Sequence, residues 1–261
     1  MQFRPCIDIH NGCVKQIVGS SLTDENDRAK ENFVASKDAA FFASLYKKDG
    51  LKGGHIILLN AADSLYYEKT KAQALAALKA YPKGMQVGGG IGLHNAEEFL
   101  KAGASHVIVT SCVFHDGAIH WETLEKLKNL VGKERIVLDL SCKKKDNQYY
   151  IVTDRWQHFT EEALSVELMD KLSDYAGEYL VHAVDVEGKN AGIEKNLITL
   201  LGSFTKLPIT YAGGVHNFSD LEMLRTLGND RLDVTIGSAL DLFGGNMPYQ
   251  EVLKFVRGER Q

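Results

Sequence analysis

Residues 84–100 read GMQVGGGIGLHNAEEFL. A short apolar run meets Gly88, Gly89 and Gly90, and a helix-period segment begins a few residues later. Glycine raises the entropy cost of ordering a backbone, so three at one junction imply a turn with φ > 0 or a close approach that a Cβ would block. The stretch is not a dinucleotide fingerprint, because G-x-G-x-x-G from Gly88 would need glycine where Leu93 stands. Two readings remain at this point: a tight strand-to-helix turn without a ligand, and a cradle of free N–H groups at a helix N-terminus that holds an anion.

The same strand–turn–helix unit recurs along the chain. Strand-like runs appear at CIDI (6–9), GHIILLN (54–60), MQVGG (85–89), SHVIVTS (105–111), RIVLDLS (135–141), YLVHAVDV (179–186), LPITYAGG (207–214) and LDVTIGS (232–238). Helix-period segments separate them, among them 38–50, 67–82, 95–104, 119–132, TEEALSVELMDKLSDYAG at 160–177, 196–206 and 217–230, and PYQEVLKFVRGER closes the series. Strict alternation repeated eight times predicts an α/β fold, a (β/α)8 TIM barrel. An open doubly wound sheet would need fewer repeats or a break in the alternation, and neither is seen. A chain of 261 residues, 44% hydrophobic and 25% charged, suits one barrel domain over 1–261, and no linker divides it. Residues 19–37 and 142–159 read as long loops on the catalytic face, expected to close over a ligand.

The net charge of −4 gives no general attraction to nucleic acid or an anionic membrane. No apolar run approaches the roughly 18 residues that span a bilayer, and the N-terminus lacks a signal-like core, so a cytoplasmic location is expected. Cys6, Cys13, Cys112 and Cys142 show neither CxxC nor CxxH spacing, and His10 and His182 have no spacing that joins them to carboxylates. No metal is therefore expected, and Cys6 and Cys112 read as small buried hydrophobes. The barrel buries its own core, so a monomer is expected.

An internal repeat sharpens the glycine question. Asp8 and Asp139 end the first and fifth strands, Gly89-Gly90-Ile91 matches Gly213-Gly214-Val215 after the third and seventh, and VIVTS ending at Ser111 matches VTIGS ending at Ser238. Each pair is separated by about half the chain, which predicts two half-barrels, roughly 1–131 and 132–261. Two matched turns on opposite sides of one face, flanked by Thr110-Ser111 and Gly237-Ser238, fit a small-molecule substrate with a phosphate at each end. Asp8 and Asp139 would lie between them, as general acid/base work requires, although either carboxylate would equally cap its loop. Trp156 could cover a ring of the ligand or pack its own loop, and Arg155 and Lys15 could neutralise phosphate or simply be solvated.

These residues resemble the phosphoribosylformimino-aminoimidazole-carboxamide ribotide isomerases of histidine biosynthesis, fungal-type branch. The resemblance runs through CIDIHNGCVKQIVG, QVGGGI, VIVTS, IVLDLS with RWQ, YAGGV and IGSALDLFGG, in order and over essentially the whole chain. It implies an Amadori rearrangement of an aminoaldose to an aminoketose. Asp8 would take the C2 proton, and Asp139 would protonate the ring oxygen. Ring opening to an imine acidifies that C2 proton, so no metal or organic cofactor is implied. One departure lies at the sixth strand, where HAVDVEG places Ala183 at the position expected to hold threonine; Asp185 is the candidate to compensate.

Two other readings carry weight. The cyclase subunit of imidazole-glycerol-phosphate synthase shares the barrel and both aspartates, but tends to read TVGGGI and SINTAA where this chain has QVGGGI and VIVTS. A non-catalytic phosphosugar binder would need the glycine turns and gain nothing from two carboxylates beside phosphates. Isomerisation of phosphoribosyl anthranilate uses the same chemistry and stays open.

Overall fold

Each of the eight apolar runs forms a strand: Cys6–His10 (β1), Gly54–Leu58 (β2), Met85–Gly88 (β3), Val107–Val109 (β4), Ile136–Asp139 (β5), Glu178–His182 (β6), Ile209–Ala212 (β7) and Leu232–Thr235 (β8). Each is followed by a helix: Ala39–Lys48 (α1), Tyr67–Ala80 (α2), Ala96–Lys101 (α3), Trp121–Val131 (α4), Val166–Leu172 (α5), Lys195–Ser203 (α6), Phe218–Leu227 (α7) and Tyr249–Val256 (α8). The computed structural model describes residues 1–17, 31–154, 156–187 and 192–259.

Neighbouring strands from β1 to β8 pair in parallel. The ring closes where Phe3 bridges Val234: Arg4 N donates to Val234 O at 2.8 Å, and Val234 N to Gln2 O at 2.9 Å. Closure leaves this sheet without an open edge and makes it a (β/α)8 barrel.

Alternation along the strands sorts side chains between two cores. On β1, Ile7 and Ile9 are wholly buried in the layer between sheet and helices, while Cys6 and Asp8 face the barrel's inner cavity. The helices return matching stripes, such as Leu197, Ile198 and Leu201 on α6 and Val252, Leu253 and Phe255 on α8. Inside the ring Ile57, Ile108, Val137 and Leu180 form a separate apolar plug. Caps mark the helix starts: Asp38 accepts from Phe41 N, Ser165 from Leu168 N and Asn217 from Asp220 N.

The structure corrects the reading of the segments after β1 and β5. Residues Cys13–Ile17 fold back on β1 through Asn11 and Gly12, both with φ > 0, and Glu31–Val34 pairs with them. Residues 19–30 of the first expected loop lie outside the described residues. The expected loop 142–159 is mostly a three-stranded antiparallel sheet of Cys142–Lys145, Gln148–Thr153 and His158–Ala163. Asp146 and Asn147, with φ of 50° and 64°, form the two-residue turn that this twist favours. The first residues of the helix expected over 160–177 belong to the last of these strands, where Thr160 Oγ1 donates to Ile151 O, and α5 begins only at Val166.

Candidate active site

Asp8 projects from β1 into the mouth of the barrel. Gln16, on the returning strand Cys13–Ile17, donates from Nε2 to Asp8 Oδ2 at 3.2 Å. The hairpin that carries Gln16 is pinned from below: Asn60 Oδ1 accepts from Asn11 N and Thr70 Oγ1, which in turn accepts from Gly12 N. Burial, reinforced by the charge of Glu187, raises the Asp8 carboxyl to about 7, against the opposing pull of His182 and the Gln16 bond. A carboxylate that titrates near neutrality is a base strong enough to remove a carbon-bound proton from an activated substrate.

Across the mouth, Asp139 ends β5 and is held by three donors. Ser141 N and Ser141 Oγ both donate to Oδ1, the first at 2.9 Å, and Thr110 Oγ1 donates to Oδ2 at 3.2 Å. His182, at the end of β6, has Nδ1 3.0 Å from Ser141 Oγ and 3.9 Å from Asp139 Oδ1, an ion pair bridged by the serine. Burial alone would raise Asp139 and lower His182. Their mutual contact reverses both: Asp139 lies below the usual carboxylate range, helped by Ser141, and His182 lies above the usual histidine range, helped by Glu187 and Asp8. Two rings hold the imidazole in place, Trp156 at 5.3 Å and His55 at 6.0 Å between centroids.

Two lobes open from this centre. The larger reaches Gly89, Gly90, Thr110, Ser111 and Trp156. The smaller reaches Gly213, Gly214, Gly237 and Ser238. Asp8, Gln16, His182 and Glu187 wall both, so the two glycine turns lie at opposite ends of one cavity with the titratable groups between them. Among the described residues no Lys or Arg lines either lobe, which leaves backbone N–H groups and hydroxyls as the available anion donors.

The glycines are required for different reasons. Gly89 has φ +94°, and a Cβ there would lie 2.0 Å from Leu58 O, so its absence lets β3 leave past the end of β2. Gly90 has φ +69° and nothing within 4 Å, so it borders open cavity. Gly213 and Gly214 repeat the pattern of positive φ, but a Cβ on Gly214 would strike Gly192 O at 2.0 Å. At Gly237 a Cβ would meet Gln16 Oε1 at 2.4 Å, so this glycine makes room for the side chain that orients Asp8.

Two expected contacts, Lys15 and Asp185, do not line the cavity. Lys15 is buried and paired with Glu31 at 2.5 Å. Asp185 accepts from Lys144 N at 2.7 Å and braces the antiparallel sheet after β5. Arg155 lies outside the described residues. Conversely, His182, Glu187, Gln16, Ser141 and His55 were not singled out as site residues from the sequence. Parity holds the signal at the sixth strand: on β6, Leu180 and His182 share the inward face, and Ala183, which drew the comparison with threonine, is buried against the β7 turn.

Residues 2–247 match the family described as histidine biosynthesis protein. The chain belongs to this family. A relative from Medicago truncatula is 54% identical over 257 residues, which cover 97% of this chain and 81% of the relative. It is named as a chloroplastic 1-(5-phosphoribosyl)-5-((5-phosphoribosylamino)methylideneamino) imidazole-4-carboxamide isomerase. Proteins of the same isomerase name from Yarrowia lipolytica and Neurospora crassa are 43% and 42% identical, covering 94% and 98% of this chain and 93% and 98% of their own. In this histidine-biosynthesis family barrel, the family match spans both lobes and both aspartates.

Proposed function

We propose that the protein is an aldose–ketose isomerase that converts N′-(5′-phosphoribosylformimino)-5-aminoimidazole-4-carboxamide ribotide (ProFAR) to its phosphoribulosyl form (PRFAR) in histidine biosynthesis. The observation that carries this reading is the cavity itself: two glycine turns at opposite ends, and between them a carboxylate raised to about 7 facing a second that is held ionised. The isomerase names of nearly full-length relatives support it, and each of those names contains two phosphoribosyl groups, one for each turn.

The substrate spans the lobes, with one phosphate at Gly89, Gly90, Thr110 and Ser111 and the other at Gly213, Gly214, Gly237 and Ser238. Trp156 covers its ring system. Asp8 works on the proton-removing side, taking the C2 proton once the sugar ring has opened. Asp139 works on the proton-donating side, where the ring oxygen leaves C1. The rearrangement itself requires no electrons from outside the substrate. The protein acts as a cytoplasmic monomer in this proposal, and its described helices include none long and apolar enough to cross a membrane. Cell fractionation and sedimentation at micromolar concentration test the location and the oligomeric state.

The decisive experiment supplies purified protein with ProFAR and follows conversion to PRFAR. Conversion supports the proposal. No conversion overturns it, and formation of an imidazole glycerol phosphate from PRFAR and ammonia would put the cyclase in its place. The same assay with phosphoribosyl anthranilate tests the second substrate.

A further inference from the structure

Outside the cavity, one group of side chains has the make-up of a metal site. Beyond the Thr110-Ser111 turn the chain forms a small hairpin, in which Phe114–His115 pairs with Ala118–Ile119. Asp116 and Gly117, with φ of 52° and 79°, make its two-residue turn. Strand alternation buries Phe114 and Ile119 and leaves His115 and Ala118 on the outer face. His120 lies two residues beyond Ala118, and its N donates to Val113 O at 2.8 Å, so the pairing continues. The two imidazoles therefore meet on a diagonal of the hairpin, stacked with centroids 3.3 Å and planes 15° apart. Sequence spacing gave no reason to expect a metal, because a separation of five residues brings two side chains together only across a tight hairpin.

The hydrogen bonds fix which nitrogen of each ring is left over. His115 Nδ1 lies 2.8 Å from Asp116 Oδ2, and His120 Nε2 lies 3.1 Å from His115 O. Carboxylate and carbonyl oxygens only accept, so both of these nitrogens carry hydrogen. In the neutral tautomers fixed this way, the lone pairs stand on His115 Nε2 and His120 Nδ1. Neither atom makes a hydrogen bond to a described residue. A metal-binding histidine usually gives its other N–H to a carboxylate or a backbone carbonyl, and here each ring has such a partner. One donor atom from each of His115, Asp116 and His120 lies within 4.8 Å of the other two. The stacking distance also matches the roughly 3.3 Å between two nitrogens that share a tetrahedral zinc ion.

We propose that His115, Asp116 and His120 bind a divalent transition-metal ion of the Zn2+ class, through His115 Nε2, His120 Nδ1 and Asp116 Oδ1. Stacked rings aim their lone pairs side by side, so binding turns the rings toward each other, which their partial exposure permits. Asp116 keeps Oδ2 on His115 Nδ1 and offers its second oxygen to the ion. Two imidazoles and one carboxylate leave a fourth position to water. Imidazole donors favour such an ion over Mg2+ and Ca2+, which take oxygen ligands.

None of the three side chains lines either lobe, so the site is separate from the proposed isomerisation and does not rest on it. The ion would tie the tip of the hairpin to its base, and Glu161 N already fastens that tip to the antiparallel sheet by donating to Gly117 O at 2.8 Å. Among the described residues Cys6, Asp8 and His55 form another close group of this kind, but they belong to the cavity, and burial pushes the Cys6 thiol up, away from the thiolate a metal needs.

Calorimetric titration of the full chain with Zn2+, in a buffer that does not chelate it, tests the assignment. The wild-type protein is expected to bind one ion at this site, and excess Mg2+ should not displace it. Asp116→Asn should weaken binding by about 10- to 100-fold, and His115→Ala or His120→Ala by at least as much. His158→Ala, which removes another exposed histidine beside an aspartate, should bind as the wild type does. Ring NMR of labelled histidine, with signals assigned by their loss in the two alanine variants, is expected to report coordination through Nε2 of His115 and Nδ1 of His120. Melting temperatures measured without metal should show that the variants are folded. No Zn2+ binding by the wild type overturns the proposal, as does full binding by a folded double variant, His115→Ala with His120→Ala. Coordination through the opposite ring nitrogens overturns it too. Conversion of ProFAR by the double variant should be unchanged, and wild-type protein that fails to convert ProFAR defeats the isomerase reading without touching the metal site.

Discussion

At the scale of single residues, the site is governed by what burial does to one carboxyl and what neighbours do to another. Asp8 loses solvation without gaining a cation in direct contact, so its proton is held to about 7. As the proposed base, Asp8 would be competent only when ionised, so kcat/KM is expected to rise with pH through about 7, measured on the free enzyme's profile. The same group strains the fold. Its folded value lies above the unfolded one near 3.8, so the stability it contributes is present at low pH and is lost as pH rises through about 7. Asp8→Asn is therefore expected to abolish most turnover while ligand affinity changes little, and to raise the melting temperature at pH 8. Linkage sets an upper bound of about 4 kcal/mol on that gain, and the gain narrows toward pH 4. A variant that melts no higher than wild type at pH 8 would refute the buried-carboxyl account. Asp8 and Asp139 were legible because polar residues that end apolar strands stand out. Gln16, His182 and Glu187 were not, because each reaches the cavity only through the fold, beside neighbours far away in sequence.

At the scale of elements, eight strand–turn–helix units were readable because apolar runs and helical periods alternate without a break. The antiparallel sheet after β5 was missed, since Thr160, Glu161 and Glu162 sit as comfortably at a helix start as in an exposed strand. The Asp146-Asn147 turn, with positive φ at both residues, was the available signal. The glycine turns were located correctly, but their need for glycine has two sources, and substitution separates them. Gly89→Ala forces a Cβ against Leu58 O at a φ of +94° and is expected to destabilise the fold by more than about 2 kcal/mol in a denaturant titration. Gly90→Ala keeps open space around its Cβ and carries only the cost of a left-handed backbone, about 1–2 kcal/mol. Its larger effect should be a raised KM, because the added methyl group faces the lobe assigned to phosphate. Equal losses of stability in the two variants, with KM untouched in Gly90→Ala, would remove the distinction.

At the scale of the whole molecule, the barrel separates chemistry from closure. The mouth carries the titratable groups, whereas at the opposite end Arg4, on the segment that closes the ring, is buried between two acids. Its Nε donates to Asp233 Oδ2 at 2.7 Å and its Nη1 to Glu178 Oε2 at 2.9 Å, and Gln86 Nε2 donates to Glu178 Oε2 as well. These positions belong to β3, β6, β8 and the N-terminal segment, so no local pattern in the sequence announces the cluster. The half-barrel repeat that pairs Asp8 with Asp139 gives no hint of it either. Removing the cation leaves a buried carboxylate, Asp233, and a half-buried one, Glu178, without their main partner, a change that for a buried pair typically costs about 3–5 kcal/mol. Arg4→Met keeps much of the side-chain volume, so the loss should come from charge and not from a void. Its unfolding midpoint is expected to fall accordingly, while kcat measured well below that midpoint stays near wild type, because Arg4 lines neither lobe. Adding Glu178→Gln to Arg4→Met should recover part of the stability, since one of the two stranded charges is then gone. If the double variant were no more stable than Arg4→Met alone, the cost would lie in packing at the closing seam, and the electrostatic account of barrel closure would have to be abandoned.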